Sequence, residues 1–328
     1  MQASTDIISS DANIELDQLN ELITRNEDAA LGKFIGDNSL SKKALSASLS
    51  ANVKTRLLNG NAFAETLWGK ETGRTVGIAT AEEATWDTEH FGLRMGKITL
   101  AVFDEKVGSE QRTEVLRRLS KKIDVKMLSA RVNLTDLKTI QALEKMGAIL
   151  TDVLLTYRFD LKNQVSSTLA PRTRISPVRE DEADELAHIG SSIFLVDRFH
   201  GDPNLPAAKS SALYSKWVFN SANGLAQVVL VARDGGKVAG FITCKVEQLD
   251  SANKFGIIDL VGVRPSFTGL GIGRELVQSA LNWFSGKVPS VYVGTQAANT
   301  RAVRLYEGSR FTHACSEATL HLWSDSNS

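Results

Sequence analysis

Residues 257–277 read Ile257-Ile-Asp-Leu-Val-Gly-Val-Arg-Pro-Ser-Phe-Thr-Gly-Leu-Gly-Ile-Gly-Arg-Glu-Leu-Val277. An apolar strand runs into a glycine-dense loop, and the loop opens a helix. Gly269, Gly271 and Gly273 permit positive φ and let a ligand approach the backbone closely. Several amide N–H groups then converge at a helix N-terminus, which suits an anion, with pyrophosphate the natural guest. Spacing separates the ligand classes that share this physics. A dinucleotide fingerprint counted from Gly269 requires a third glycine where Arg274 stands, and a P-loop requires a lysine that does not follow the last glycine. The plain alternative is a glycine-rich turn that only lets strand and helix pack.

Working outward, strands are expected at Gln227–Ala232, Val238–Val246 and Lys254–Val263, with Asp234-Gly235-Gly236 as the turn joining the first two. Downstream the pattern reads helix (Gly271–Ser285), strand (Ser290–Thr295), helix (Thr300–Gly308) and strand (Ala318–Trp323). Upstream, Leu186, Ile189 and Ile193 share a helix face, and the loop FLVDRFHGDPNLP (194–206) leads to a helix at Ala207–Asn220. Residues 163–177, polar and holding two of the six prolines, form the best linker. Before it come a strand at Gly96–Phe103, a helix from Ser109 with Leu116, Leu119 and Ile123 on one stripe, a strand at Leu128–Val132, a helix ending near Gly147, and a strand at Val153–Leu161. This is an α/β class chain with a mixed sheet, antiparallel first and then crossing over through helices. Segment 130–161 repeats the order of 291–323, and aligning Leu143 with Leu305 sets Glu144 opposite Tyr306. In residues 1–75, Leu16, Leu19 and Ile23 mark an amphipathic helix; the segment reads as a packing or dimerising helical extension.

The 328 residues suit two domains of about 150 each. Thirty-eight basic residues balance thirty-eight acidic ones, so nothing in the charge supports general nucleic-acid binding. Cys244 and Cys315 fit neither metal-ligand spacing nor a disulfide framework, and a reducing compartment is expected. No secretory signal is legible and no apolar run nears the roughly 20 residues of a membrane span. The expectation is a cytoplasmic protein without membrane partner or metal.

Thr268-Gly-Leu-Gly271-Ile-Gly273, following a Val-Arg-Pro strand end, resembles the acetyl-CoA pyrophosphate loop of the GCN5-related N-acetyltransferase (GNAT) superfamily, whose pattern is Gln/Arg-x-x-Gly-x-Gly/Ala. Thr268 departs from the first position; the backbone cradle is unaffected. The run Thr295 to Phe311 resembles the second half of that family's core, where an Asn opens a helix beside the cofactor and a Tyr faces the thioester sulfur. Asn299 and Tyr306 lie seven apart, two turns along one helix face. The resemblance implies acetyl-CoA as co-substrate, held by Thr268, Gly269, Leu270, Gly271, Ile272, Gly273, Arg274 and Asn299. It implies a splayed strand at Leu260, Val261, Gly262 and Val263 that offers main-chain donors to the acetyl carbonyl. Tyr306 becomes the acid for the departing thiolate, a role within reach of a phenol of pKa about 10. Asn299 equally reads as a helix N-cap, and Tyr306 as a core tyrosine.

From about residue 76 to 325 the chain is similar to the dTDP-fucosamine N-acetyltransferase group of that superfamily. The residues that carry this are Trp86-Asp-Thr-Glu-His-Phe91-Gly92, Asp197-Arg198-Phe199-His200, Asp202-Pro203 and Leu213-Tyr214-Ser-Lys-Trp217. It implies a helical extension (1–75), a degenerate GNAT-like domain without the cofactor loop (76–165) and a catalytic GNAT domain (172–328). The acceptor it implies is a small amine on a nucleotide-linked amino sugar, bound by Arg198 and His200. Arg198 suits a diphosphate. Glu247, Asp259 and His200 are candidates for the base. An amino acid, peptide or other small amine is the alternative acceptor, and a non-catalytic acyl-CoA-binding module the alternative function.

Overall fold

The computed structural model describes residues 5–8, 16–34, 36–163, 173–248, 250 and 253–324. In chain order the elements are β1 (Thr5–Ile8), α1 (Leu16–Arg25), α2 (Glu27–Leu31), α3 (Lys42–Leu58), β2 (Phe63–Gly69), β3 (Arg74–Glu83), α4 (Thr85–Phe91), β4 (Met95–Phe103), α5 (Ser109–Ile123), β5 (Met127–Asn133), α6 (Leu137–Lys145) and β6 (Ile149–Asp160). They continue as β7 (Arg174–Pro177), α7 (Ala183–Ile193), α8 (Ala207–Asn220), β8 (Val228–Asp234), β9 (Lys237–Gln248), β10 (Lys254–Val263), α9 (Ile272–Phe284), β11 (Ser290–Gln296), α10 (Thr300–Gly308) and β12 (Thr312–Trp323). The expected mixed α/β fold is what forms. Most of the linker expected at 163–177 lies outside the described residues. No helix among the described residues is long and apolar enough to cross a membrane.

Internal contacts divide the chain into Met1–Val153 with Cys315–Ser328, and Leu154–Ala314. In the first unit the strands lie in the order β1-β2-β3-β4-β5-β12. Alternation across β3 and β4 serves two cores. Ile78, Leu100 and Val102 meet Leu19, Leu22 and Ile23 of α1 and Val53 and Leu57 of α3, whereas Ala79 and Phe103 join Val115, Leu116 and Leu119 of α5. The α1 face is therefore Leu19, Leu22 and Ile23; Leu16, expected on it, sits at the exposed N-terminal end. The segment 1–75, expected as a helical extension, also holds β2, which pairs antiparallel with β3.

The second unit repeats the plan, in the order β7-β8-β9-β10-β11-β6. β8 and β9 turn through Gly235 and Gly236, both at positive φ, in the expected hairpin. β10 crosses over through α9 to the parallel strand β11. Leu276, Val277, Ala280 and Phe284 of α9 close the core on Ala239, Ile242, Ile258, Val291 and Val293.

Three consecutive elements recur at a constant spacing of 163 residues: Met127 to Ser290, Leu137 to Thr300 and Ile149 to Thr312. The details repeat as well. Asp136 and Asn299 are the equivalent helix N-caps, accepting from Thr139 N–H and Ala302 N–H. Gly147 and Arg310 occupy the same positive-φ position after the helix. This register corrects the sequence alignment by one residue, because Leu143, buried like Tyr306, stands opposite it and Glu144 matches Glu307.

The two repeats share their strands unequally. Leu154–Asp160, which precedes the linker in sequence, is hydrogen-bonded antiparallel to β11 from Gln296 to Ser290 in the second unit, and Tyr157 and Phe159 enter that unit's core. The last strand pairs with β5 in the first unit, placing Ala318 and Leu320 in its core. A fragment of residues 172–328 therefore lacks one strand of the second unit's sheet and two of its buried rings. We expect that fragment to show no cooperative urea transition by circular dichroism, while residues 149–328 with the strand retained gain one. A sharp transition in the shorter fragment overturns this.

Candidate active site

The antiparallel ladder of β9 and β10 is interrupted: Ile258 faces Cys244 and Val261 faces Ile242, so Asp259 and Leu260 oppose Thr243 alone. Such a bulge bends the strand. The Leu260 N–H donates to the buried Thr243 hydroxyl at 3.0 Å. On its other side β10 pairs with β11 only through Gly256–Ile258, so from Asp259 onward the parallel ladder is absent. The predicted splayed segment, Leu260 to Val263, lies beyond that point. Gly262 is required there, since a Cβ would stand 2.6 Å from Ile193 Cδ1 and 2.8 Å from Phe241 Cε1.

The loop between β10 and α9 has the shape its glycines promise. Gly269 and Gly271 adopt φ of 79° and 84°, conformations that strain other residues. Thr268, which replaces the family's usual side chain, turns its hydroxyl back to the Pro265 carbonyl at 2.8 Å. The loop 268–271 is exposed, and a Cβ at Gly269 or Gly271 would meet nothing within 4 Å. The amides of Gly269, Leu270, Gly271, Ile272 and Gly273 donate to no other group among the described residues, and Gly271 caps α9 without a side-chain bond. Five open N–H groups at a helix N-terminus fit the pyrophosphate of acetyl-CoA.

Around this loop other expected residues gather. A Cβ on Gly273 would touch Leu305 of α10 at 3.3 Å and Val263 at 3.9 Å, so the loop, the end of β10 and α10 meet at one corner. Asn299 caps α10 through its side-chain oxygen, 3.2 Å from the Ala302 N–H. The Arg274 guanidinium reaches α10 at Gly308. Tyr306 is buried, its ring 6.0 Å from Tyr157 and 5.8 Å from Phe311. Burial pushes its phenol pKa well above the ordinary value, so the hydroxyl keeps its proton and is a donor. Tyr157, which sequence reasoning passed over, donates to Glu307 at 3.1 Å; no local signal in β6 marks it, because its neighbours lie 150 residues away.

The candidate bases behave differently from one another. Glu247 stands opposite Phe255, at the far end of the strand from Val263, roughly 26 Å along it at the usual strand rise. It shares Lys245 with Asp259, at 3.5 and 3.1 Å. Burial works against the Lys245 charge, yet Asp259 and Glu247 hold its pKa above the ordinary value. Cys244 beside them is buried with its pKa pushed up to about 12, which makes it inert as a thiolate. Arg198 covers the buried Phe199 ring, 4.0 Å from its centroid, so that ring stacks on the guanidinium. His200 hydrogen-bonds through Nδ1 to Asp197 and through Nε2 to Ser211 Oγ.

The first unit lacks the cradle. The segment 104–108 between β4 and α5 is shorter than its counterpart 264–271, and Gly108 N–H is taken by the Gln111 side chain at 2.9 Å. Arg112, buried, fills the corner behind it: Nε donates to the Val107 carbonyl at 3.1 Å, Nη1 to Thr139 Oγ1 at 2.8 Å, and the guanidinium pairs with Asp136. At the 163-residue spacing Glu275 and Asn299 hold these two positions, and Glu275 turns away to Thr173. A cavity of about 310 Å³ remains between β4 and β5, lined by Gly32, Lys33, Thr99, Arg131, Asp136 and Glu317 among others. No group of three or more His, Cys, Asp or Glu among the described residues is arranged to hold a metal ion.

Residues 195–310 match the acetyltransferase (GNAT) family. The spore coat polysaccharide biosynthesis protein SpsD of Bacillus subtilis is 23% identical over 260 residues, 77% of this chain and 86% of that protein. The dTDP-fucosamine acetyltransferase of Escherichia coli O6:H1 is 23% identical over 236 residues, 70% of this chain and 91% of that protein. A mycothiol acetyltransferase of Nocardioides is 33% identical over 100 residues, covering 28% of this chain and 34% of its own. Among solved structures, a GCN5-related N-acetyltransferase from Sphaerobacter thermophilus superposes with a TM-score of 0.61 at 14% identity, covering 97% of this chain and 95% of that one. A tandem GNAT protein from the clavulanic acid biosynthesis pathway gives 0.54 at 13% identity over 98% and 100%. Both show the fold.

A Gly271→Ala substitution places a side chain at φ of 84°, with a strain of about 1–2 kcal/mol. We expect acetyl-CoA, titrated calorimetrically, to bind about tenfold more weakly, whereas exposed Leu270→Ala changes affinity less than twofold.

Proposed function

We infer that this chain, which carries a GNAT-family acetyltransferase domain over residues 195–310, transfers the acetyl group of acetyl-CoA to the amino group of a nucleotide-linked amino sugar. The observation that carries the reading is the row of five open amides from Gly269 to Gly273 at the N-terminus of α9, beside a strand that has left its partner. Two sugar-related proteins that align along most of their own lengths point to the acceptor.

In this reading the Gly269–Gly273 amides hold the pyrophosphate, and Asn299 and Arg274 close the corner beside it. The acetyl thioester supplies the activated carbonyl. Main-chain groups of the Leu260–Val263 segment flank it and stabilise charge that grows on its oxygen, an effect of a few kcal/mol for fixed donors. The Leu260 N–H is taken by Thr243, so Val261 and Val263, whose amides alternate away from β9, carry more of that task. Tyr306 keeps its proton through burial and donates it to the leaving thiolate. Arg198 of the α7–α8 loop engages the acceptor's diphosphate, its guanidinium steadied on Phe199. Holding both reactants in one cleft removes the entropic barrier of their encounter. Both are water-soluble nucleotides, which fits a reaction in the cytoplasm.

The test is thiol release from acetyl-CoA against dTDP- and UDP-linked 4-amino sugars, amino acids and polyamines. We expect turnover with a nucleotide amino sugar, a KM for it about tenfold higher in Arg198→Ala, and a kcat about a hundredfold lower in Tyr306→Phe. Turnover on amino acids or polyamines alone overturns the acceptor assignment. Binding of acetyl-CoA without thiol release from any amine favours a non-catalytic module.

A further inference from the structure

We propose that Asp197, His200 and Ser211 form a proton relay in the second unit, with His200 the final acceptor of the proton shed by the attacking amine. The proposal rests on the acetyltransferase reading above and adds the base that reading leaves open.

Four hydrogen bonds fix the relay. Asp197 is 5% exposed. Its Oδ1 accepts the backbone N–H groups of Phe199 at 2.7 Å and His200 at 3.2 Å, which leaves Oδ2 for the His200 Nδ1. A carboxylate so placed holds the proton on Nδ1. Nε2 then carries a lone pair, and the Ser211 hydroxyl, 3.1 Å away on α8, donates to it. Its two hydrogen bonds hold the imidazole, and Tyr214 lies roughly parallel to it at 6.4 Å with the planes 24° apart. Tyr214 in turn stacks on Phe194 at 5.0 Å, and Phe194 meets Phe241 edge-on at 6.4 Å. Phe241 lies against Gly262 of the splayed strand. A continuous ladder of rings thus joins the relay to the strand segment that flanks the acetyl group.

This geometry exceeds what a loop-stabilising histidine requires. A carboxylate on one ring nitrogen already secures the turn; a serine hydroxyl on the other, in line, creates a path for a proton. In the transfer the nitrogen–carbon bond forms as the carbon–sulfur bond breaks. One proton of the attacking nitrogen passes to Ser211 Oγ while the hydroxyl proton moves to His200 Nε2, and Tyr306 protonates the departing sulfur. His200 then returns its proton to solvent and Tyr306 regains one, so amine, thioester, amide and thiol balance. His200 is the catalytic base, Ser211 the relay, and Asp197 a positioning residue.

The experiment uses the full chain and whichever amine the panel identifies. We expect His200→Ala to lower kcat by 10²-fold or more, to leave acetyl-CoA affinity within threefold by calorimetry, and to regain activity saturably with added imidazole. Ser211→Ala should lower kcat about tenfold and reduce the solvent deuterium isotope effect, and Ser211→Thr should retain it. Independently of turnover, ¹⁵N spectra of the imidazoles should show His200 protonated at Nδ1 only, with the Nε2 signal moved in Ser211→Ala. Wild-type kcat in Ser211→Ala, failure of imidazole to rescue a folded His200→Ala, or a His200 protonated at Nε2 overturns the relay. Loss and rescue with a non-sugar amine supports the relay while overturning the acceptor assignment. Absence of turnover with every amine overturns both.

Discussion

The parallel ladder between β10 and β11 ends at Ile258, and the open corner of the second unit depends on that ending. Had the pairing continued, the main chain from Leu260 to Val263 would face a neighbouring strand and no ligand would reach it. The bulge at Asp259–Leu260 bends β10 at that point. The bend aims the strand's end toward the loop at Gly269 to Gly273, whose amides lack partners. A sheet ordinarily satisfies its backbone groups through its ladders. Here a corner of the sheet is left deliberately open, and the corner is shaped by glycine: at 262 because Ile193 and Phe241 crowd in, at 269 and 271 because φ is positive.

The two units test this account against each other. Their last elements coincide at a spacing of 163 residues, and each carries a β4-like strand that pairs in parallel with its neighbour for three residues before the ladder stops. The splay is thus a property of the shared architecture, and it leaves a cavity in the first unit too. What differs in the first unit is the loop before the helix, which is shorter and has its Gly108 amide taken. Gln111 occupies the capping amide, and Arg112 and Asp136 pair at the positions that Glu275 and Asn299 hold in the second. A buried pair of this kind is poorly replaced piecemeal, since removing either member strands the other charge away from water at about 3–5 kcal/mol. Where the second unit has a glycine loop with open amides, the first has a buried ion pair beside its helix.

Legibility followed the range of the interactions. Loop 268–273, the Gly235-Gly236 hairpin and the α5 and α9 stripes are local patterns, and each formed where the residues indicated. Tyr306 and Asn299 came from a motif read over the seventeen residues from Thr295 to Phe311. Whatever depends on distant pairing was opaque. The helices of residues 16–58 gave a period, but not that Leu19 and Ile23 seat on Ile78 and Val102. Glu247 and Asp259 stood as equal candidates for the base, and only the ladder reveals that Glu247, on β9, faces the start of β10, far from Val263. Ser211 carries no mark in the sequence; it acquires meaning from a histidine eleven residues earlier that a turn brings back to it. The internal repeat was visible yet misaligned by one residue, because Leu143 and Leu305 are identical while Leu143 and Tyr306 are the structural pair.

Strand β6 ties the second repeat to chain that precedes the linker. Its Leu154–Asp160 stretch pairs with β11 over seven consecutive residues and buries Tyr157 and Phe159 in the second unit's core. Tyr157 lies against Tyr306, and burial together with its bond to Glu307 holds the Tyr157 phenol above its ordinary pKa, so it too stays neutral. Were this strand absent, Tyr306 would lose one wall of its apolar surroundings, water would reach the phenol, and its pKa would relax toward the ordinary value. The apolar wall around Tyr306 is therefore built from both sides of the linker. Tyr306 thus owes part of its apolar surroundings to chain that precedes the second repeat.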